Sequence, residues 1–417
     1  MSKSSDNPSG GITRRGLLGA GAAGGLVIAS GGGFAIGKSE AETPDPAQES
    51  VPFNGVHQAG ITTPAQDRVH FAAFDLTTTD KAEVKALLKA WTVAAARMAK
   101  GEPVGPDNDT PLVPPQDTGE AFGLGPSGLT ITFGFGPSLF DERLGLKSKM
   151  PAQLQPIPAL PGDELDPRIS DGDLCIQACA NDPQVAFHAI RNLTRIALGT
   201  AVMRWCQLGF GRTSKTGAGQ ETPRNLMGFK DGTANILNDD KEALDNFVWA
   251  DSESPDWMQG GSYLVSRRIR MLIEAWDRTF LQEQEKVIGR IKDSGAPIGE
   301  KNENDPVNLE AKAPNGGYRI PMDAHIRLAG PGDNDQEKIL RRGYSFTDGF
   351  DTVRGQLDAG LFFICFQKDP RIQFVPIQAR LGKNDRLNEY ILHTASALFA
   401  VPGGVEDQDG YIGQGLF

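Results

Sequence analysis

The stretch DLCIQACANDPQVAFHAIRNLTRIALGTAVMRWCQLGF, residues 173–210, decides how this chain folds. Its first eight residues alternate like a strand. Asp182 then stands as a helix cap with Pro183 in the first turn, and the run to Leu198 reads as a helix. AVMRWCQLGF (201–210) returns as a strand. Upstream, RVHFAAFDL (68–76) is a strand, Asp80 to Lys100 is a helix rich in Ala, Leu and Lys, and LTITFGF (129–135) is a strand. The sum is βαββαβ, the ferredoxin-like order. The same order recurs in SYLVSRRIRMLIEAW (262–276), helical TFLQEQEKVIGR (279–290), strands GYSF (343–346) and GLFFICFQ (360–367), a helix around Arg386 to Leu392, and ALFAVPG (397–403). Two α+β halves are therefore expected, at residues 50–215 and 216–417. The Pro-, Gly- and Asp-rich stretches 101–119, 292–317 and 329–336 read as loops.

At 417 residues the chain can bury a large core, and its formal charge of -11 argues against nucleic acid or an anionic membrane as partner. Arg14-Arg15 precedes an uncharged run, residues 16–37, too diluted by glycine to make a stable membrane span. The twin arginine, with Leu17-Leu18 behind it, resembles a twin-arginine export signal, and Ser39-Glu40-Ala41 offers small residues for cleavage. Residues 1–41 are read as that signal, so the mature chain is expected outside the cytoplasm, extracellular or in the periplasm or cell envelope. The export machinery becomes a partner, and its passengers often carry a cofactor inserted before transport. Whether the mature protein is an oligomer is left open.

Of the four cysteines, Cys175 and Cys179 share a strand face but stand roughly 13 Å apart at strand rise. A disulfide needs Cα atoms within about 7 Å. No Cys-x-x-Cys occurs, so zinc ribbons, thioredoxin-like sites and covalent haem attachment lack their motif. Cys175, Cys179, Cys206 and Cys365 read as small buried apolar residues.

The five histidines divide by pattern. His188 shares a helical face with Gln184 and Asn192 and reads as solvated. His70 alternates with Ala72, Phe74 and Leu76 and reads as core-facing. His57 precedes the first strand and reads as structural, while His393 and His325 are open to either role. No His-x-x-x-His or carboxylate cluster points to zinc. A single histidine as sole protein ligand suits haem, whose porphyrin supplies the other four donors.

One further stretch, NLMGFKDGTAN (225–235), places Asp231 between a lysine and two residues with little side chain. A turn explains the Asp-Gly step alone. However, GFKDGTAN (228–235), DAHIRLAGP (323–331) and ILRRGYSF (339–346) occur in the order and rough spacing of the dye-decolourising peroxidases. HQAGITTP (57–64) and GLFFICFQKDP (360–370) match the same family, and SLFDERLGL (138–146) is similar to its exported, deferrochelatase-type branch. The resemblance covers residues 50–417.

The resemblance implies duplicated ferredoxin-like halves forming a dimeric α+β barrel that encloses one non-covalent haem b per chain. It makes His325 the proximal iron ligand, with Glu389 as the carboxylate that receives its ring N–H. Asp231 and Arg341 would share the distal face. Gly232, Thr233 and Ala234 would line the cofactor, with Gly330-Pro331-Gly332 near it on the proximal side. The family's loop there reads Asn-Pro, where this chain has Gly330-Pro331.

The implied activity is reduction of hydrogen peroxide with oxidation of dyes, phenols or other one-electron donors. Asp231 would move the proton and Arg341 would stabilise developing negative charge. Bulky donors would be oxidised at surface Tyr or Trp residues, Tyr390 being one candidate beside its ordinary packing role. Release of iron from haem is an alternative use of the same pocket. A haem carrier without catalysis is another, against which the Asp231 and Arg341 pair weighs.

Overall fold

Asp182 accepts the backbone N–H groups of Gln184 and Val185, and Asp80 that of Ala82, so two acidic caps start the two helices of the first half. The computed structural model describes residues 46–106, 111–333, 336–407 and 409–417, and the export signal read at 1–41 lies outside them. Residues 44–417 make one unit.

The first half runs β1 (Arg68–Leu76), α1 (Lys81–Met98), β2 (Thr130–Phe135), β3 (Leu174–Ala180), α2 (Pro183–Ile196) and β4 (Ala201–Arg212). The second runs α3 (Lys241–Phe247), β5 (Ser262–Met271), α4 (Ile273–Trp276), α5 (Leu281–Ile288) and α6 (His325–Ala329). It continues with β6 (Leu340–Arg341), β7 (Tyr344–Asp351), β8 (Gln356–Gln367), α7 (Phe374–Asn384) and β9 (Ile391–Val401). In one respect the sequence reading fails. The helix expected around Arg386 to Leu392 is displaced upstream, to α7; Arg386–Glu389 is a single 3-10 turn, and β9 begins at Ile391. Pro376 lies in the first turn of α7, where a missing N–H breaks no bond, so it starts this helix rather than ending one.

Strand order explains the shape. The first half is ordered β2-β3-β1-β4 and the second β7-β8-β5-β9, with every pairing antiparallel. These are the same order: the first strand of each half sits between its third and fourth. β4 then meets β7 through Phe210↔Ser345 and Arg212↔Tyr344, and β2 meets β9 through Phe135↔Ala400. Eight strands thereby close into a ring, to which the short β6 adds along β8. The fold is the duplicated ferredoxin-like α+β barrel.

Three cores follow. Helices α1 and α2 pack Leu87, Leu88, Trp91, Ile190 and Leu193 on one face of the first sheet. The ring interior holds Phe71, Trp205, Phe362, Phe366 and Phe399. Each such side chain contributes about 1.5–3 kcal/mol by leaving water. A smaller cluster of Met227, Phe229, Met271, Trp276, Val287, Ile288 and Leu387 joins the loop after β4 to α4, α5 and the turn before β9. Trp276 fixes that junction by donating its Nε1–H to the Met227 carbonyl at 3.0 Å. This third cluster positions the site.

His188 is a second correction. It is buried, with Nε2 2.8 Å from Asp117 Oδ1, because Asp117 and Thr118, in the stretch before β2, pack over this face of α2. His70 is buried, as its alternation implied, and neither ring nitrogen has a partner. Burial takes its pKa down to about 4. His393 lies in β9 with Nε2 3.2 Å from the Gln378 amide, and burial first, then nearby Arg267, takes it to about 3. Cys175, Cys179 and Cys365 are buried free thiols. Cys206, on the outer face of β4, is exposed, which corrects its reading as buried.

Candidate active site

The loop from Pro223 to Asn235 is a tight double-back. Phe229 and Asn225 pair backbone to backbone, and the Asp231 N–H reaches the Pro223 carbonyl at 2.9 Å. Gly232 sits at φ 86, and a Cβ there would come within 2.8 Å of the Ser214 backbone. The Asp-Gly step is therefore demanded by both turn and packing, and it turns the Asp231 carboxylate outward from the loop. Oδ1 accepts from Arg341 Nη1 at 2.8 Å and Oδ2 from Asn225 Nδ2 at 3.2 Å. The pair is part open, 18% of the Asp231 side chain and 26% of the Arg341 side chain being exposed.

Arg341 is held at its other end too. Asn235 accepts the Arg341 N–H at 2.7 Å and donates to the Arg341 carbonyl at 2.8 Å. Its Nδ2 also reaches the Lys215 carbonyl at 2.8 Å. Asn225 and Asn235 were not singled out in the sequence. Their signal was position, six residues before and four after the acid, in a loop that must satisfy its own backbone.

Thr233, expected to line the site, turns its hydroxyl to Glu303 at 2.9 Å. Glu303 also pairs with Lys230. Burial raises the Glu303 pKa, but bonds from Lys230, Thr222 and Thr233 outweigh it and hold the carboxyl below the usual range. Ala234 is exposed on the same loop.

His325 opens α6. Its Nδ1 lies 2.6 Å from Asp385 Oδ2, while Asp385 Oδ1 accepts the Leu387 N–H at 2.8 Å. Glu389 does not make this contact, which corrects its assignment. Its carboxylate is 62% exposed and 3.8 Å from Arg386 Nε, whereas Asp385 is 3% exposed. The displaced helix is the reason: Asp385 caps the 3-10 turn and faces inward, and Glu389 ends that turn facing solvent. An Asp two residues before a buried Leu is the cap signature that marks it.

Burial lowers the His325 pKa, but the Asp385 charge and hydrogen bond outweigh it, so the net shift is upward. Asp231 pushes the same way and Arg341 the opposite way, so the charges of that pair reach this imidazole. With Nδ1 committed and 32% of the side chain exposed, His325 presents Nε2 to open space. Among the described residues no three His, Cys, Asp or Glu side chains converge to hold a metal. An ion held here at Nε2 needs its other donors from a non-protein group. Gly330, Pro331 and Gly332 follow α6 directly, and a Cβ at Gly332 would meet nothing within 4 Å.

Tyr390, also weighed as an electron relay, is half-buried with its ring edge-on to Trp276 at 5.0 Å. That contact is ordinary packing. Cavities of about 270 and 240 Å³ lie elsewhere, at one end of the ring and beside residues 121–126, with none of these site residues in their walls.

Family models match in two places: Dyp-type peroxidase, N-terminal, over residues 58–211, and Dyp-type peroxidase, C-terminal, over 222–406. Deferrochelatase of Escherichia coli (strain K12) is 40% identical over 380 residues, covering 90% of this chain and 89% of that protein. Among solved structures, a DyP-type peroxidase from Streptomyces coelicolor is 43% identical with TM-score 0.82, covering 89% of this chain and 98% of the other. Ferric DtpA from Streptomyces lividans is 43% identical with TM-score 0.82, covering 90% and 99%.

Proposed function

Because this chain belongs to the Dyp-type peroxidase family, we propose that Asp231, Arg341, His325 and Asp385 are the residues with which it performs that family's reaction. The protein is a haem peroxidase, an oxidoreductase that reduces hydrogen peroxide and oxidises dyes, phenols or other one-electron donors. The single observation that carries the residue assignment is the Asp231–Arg341 contact at 2.8 Å, electrostatically linked to an imidazole whose Nε2 is open.

The donor set fits haem. A lone imidazole with an anchored Nδ1 would supply one donor to the iron, and a porphyrin would supply the four that this chain does not. His325 Nε2 would hold the iron, Gly232 and Ala234 would line the distal side, and Gly330 to Gly332 the proximal side. Thr233 acts at one remove, through Glu303. When bound, haem supplies the centre that takes oxidising equivalents from peroxide.

The chain moves the protons. Asp231, ion-paired to Arg341, is a carboxylate able to take a proton from peroxide and return it to the departing oxygen. Arg341 Nη1 offers a permanent positive charge where negative charge develops. Asp385 takes the His325 Nδ1–H, which fixes the tautomer and makes Nε2 a stronger donor. A carrier needs no charged pair here, so this pair favours catalysis.

We further propose haem b held without covalent attachment, one per chain, since no Cys-x-x-Cys-His exists to bind it covalently. Division into halves at 50–215 and 216–417 and export by the twin-arginine route to the cell exterior or envelope belong to the same proposal. Among the described residues no helix is long and apolar enough to cross a membrane. The test is stopped-flow mixing of the haem-loaded protein with peroxide. Asp231→Asn should slow the first spectral change at least roughly tenfold, about 1.4 kcal/mol of barrier. An unchanged rate in both Asp231→Asn and Arg341→Leu rejects the assignment.

Iron release is the second reading, favoured by the likeness to a protein named Deferrochelatase. It predicts metal-free porphyrin, which fluoresces, on incubation with haem and a reductant. Its absence leaves the peroxidase reaction alone.

A further inference from the structure

The segment between α5 and α6 is absorbed by neither the fold's repeat nor the reaction described above. It nonetheless touches the distal loop at several points. Arg224 donates to Gly228 O at 2.8 Å and, across the gap, to Lys292 O and Asp293 O, both at 2.6 Å. Arg290 donates to Gly295 O at 2.7 Å and to Glu303 O at 3.0 Å. Lys230 runs across Gly295, where a Cβ would come within 2.7 Å of its chain. Two further contacts reach the distal loop through one side chain of this segment. Glu303, 13% exposed, holds Lys230 and Thr233, the residues one before and two after Asp231.

Resting on the assignment of Asp231 as proton carrier, we infer that Glu303 is a positioning residue for it, acting in two separable ways. It clamps the distal loop through the Thr233 hydroxyl, and it neutralises Lys230 so that no second uncompensated lysine charge stands beside Asp231. The charge of Glu303 is secure at working pH because its surroundings keep its carboxyl below the usual range.

The two roles predict different outcomes in two variants. Glu303→Gln keeps an acceptor for Thr233 but leaves Lys230 uncompensated, one residue from the distal acid. A unit charge about 10 Å away at an effective dielectric near 20 is worth on the order of one pH unit. The acid limb of the rate of reaction with peroxide should therefore move down by roughly half a unit or more. Adding Lys230→Met should return it to its native position, which a merely loosened structure would not do. Glu303→Ala removes the clamp as well, and amide hydrogen exchange across residues 228–235 should quicken about tenfold, measured before any peroxide is added.

The experiment uses the haem-loaded mature protein, with Asp231→Asn alongside. An acid limb unmoved in Glu303→Gln overturns the inference, and so does unchanged exchange at 228–235 in Glu303→Ala. A profile that even Asp231→Asn leaves unaltered overturns the premise, and is told apart because the exchange arm does not depend on it.

Discussion

Asn235 holds Arg341 by its main chain, taking its N–H at 2.7 Å and giving to its carbonyl at 2.8 Å, as a neighbouring strand would. Asp231 holds the same residue by its guanidinium. The loop that carries the acid thus also fixes the base of the arginine, and the two charged groups are placed relative to one another by four residues of sequence.

That clasp predicts that Asn235→Ala lowers the rate of reaction with peroxide although Asn235 touches neither reacting group. About tenfold is expected, with cofactor content retained, since a misplaced charge loses most of its value. Stopped-flow rates beside Arg341→Leu decide it. If Arg341→Leu falls tenfold and Asn235→Ala stays within twofold, the clasp is dispensable.

Asp385 and Glu389 give a sharper contrast. Asp385→Asn keeps the shape but withdraws the charge from His325 Nδ1–H. The iron–imidazole stretching frequency of the reduced, loaded protein should fall, and cofactor affinity should drop about 10-fold or more. Glu389→Gln should change neither. Equal effects from the two variants would return the role to Glu389.

His70 makes a prediction for stability on the acid side. Its folded pKa is about 4, against 6.5 for the ordinary group. Between those values the unfolded chain binds more protons, so stability falls as pH drops from 6.5 to 4. One such site costs about 3 kcal/mol once pH is below 4. His70→Leu should remove that share of the acid loss, while stability at pH 7 changes by only about 1 kcal/mol. Urea unfolding at pH 7 and pH 4.5 measures both, and parallel losses in wild type and variant would refute it.

The thiols can be counted. Three cysteines are buried and one, Cys206, is exposed, though burial and then Asp348 raise its pKa. A thiol reagent at neutral pH should find one slow group in the native protein and four in denaturant. Two or more fast native thiols would contradict the packing of the ring.

Much of this was written in local pattern. Capping at Asp182, helical composition from Asp80, and strand alternation in 68–76 and 173–180 depend on neighbours in sequence, and the elements they predict are present within a few residues. What escaped depends on distant chain. His188 looks solvated beside Gln184 and Asn192, yet Asp117 covers it, and Asn192 is buried with it through Thr118 at 2.7 Å. Asp385 and Glu389 are both acids near one turn, and only the register of that turn, set by α7 ending at Asn384, decides which faces His325. Glu303 lies 70 residues from its Thr233 contact, inside a stretch that reads as loop.

Closure of the ring has a consequence for how copies of this protein meet. Each of the eight long strands has a neighbour on both sides, and β6 caps part of β8. Among the described residues, the long strands leave unpaired rows of N–H and C=O groups only along the two thin junctions, β2 with β9 and β4 with β7. Self-association by strand addition, the usual route from a β-rich protein to fibrils, therefore finds its template at those junctions and not along the broad sheets. Elsewhere copies must gather through side chains, and aggregation by strand addition must begin with the seams, where one register pair joins β2 to β9 and two join β4 to β7. Resistance to aggregation is thus a property of two short junctions rather than of the broad sheets they connect.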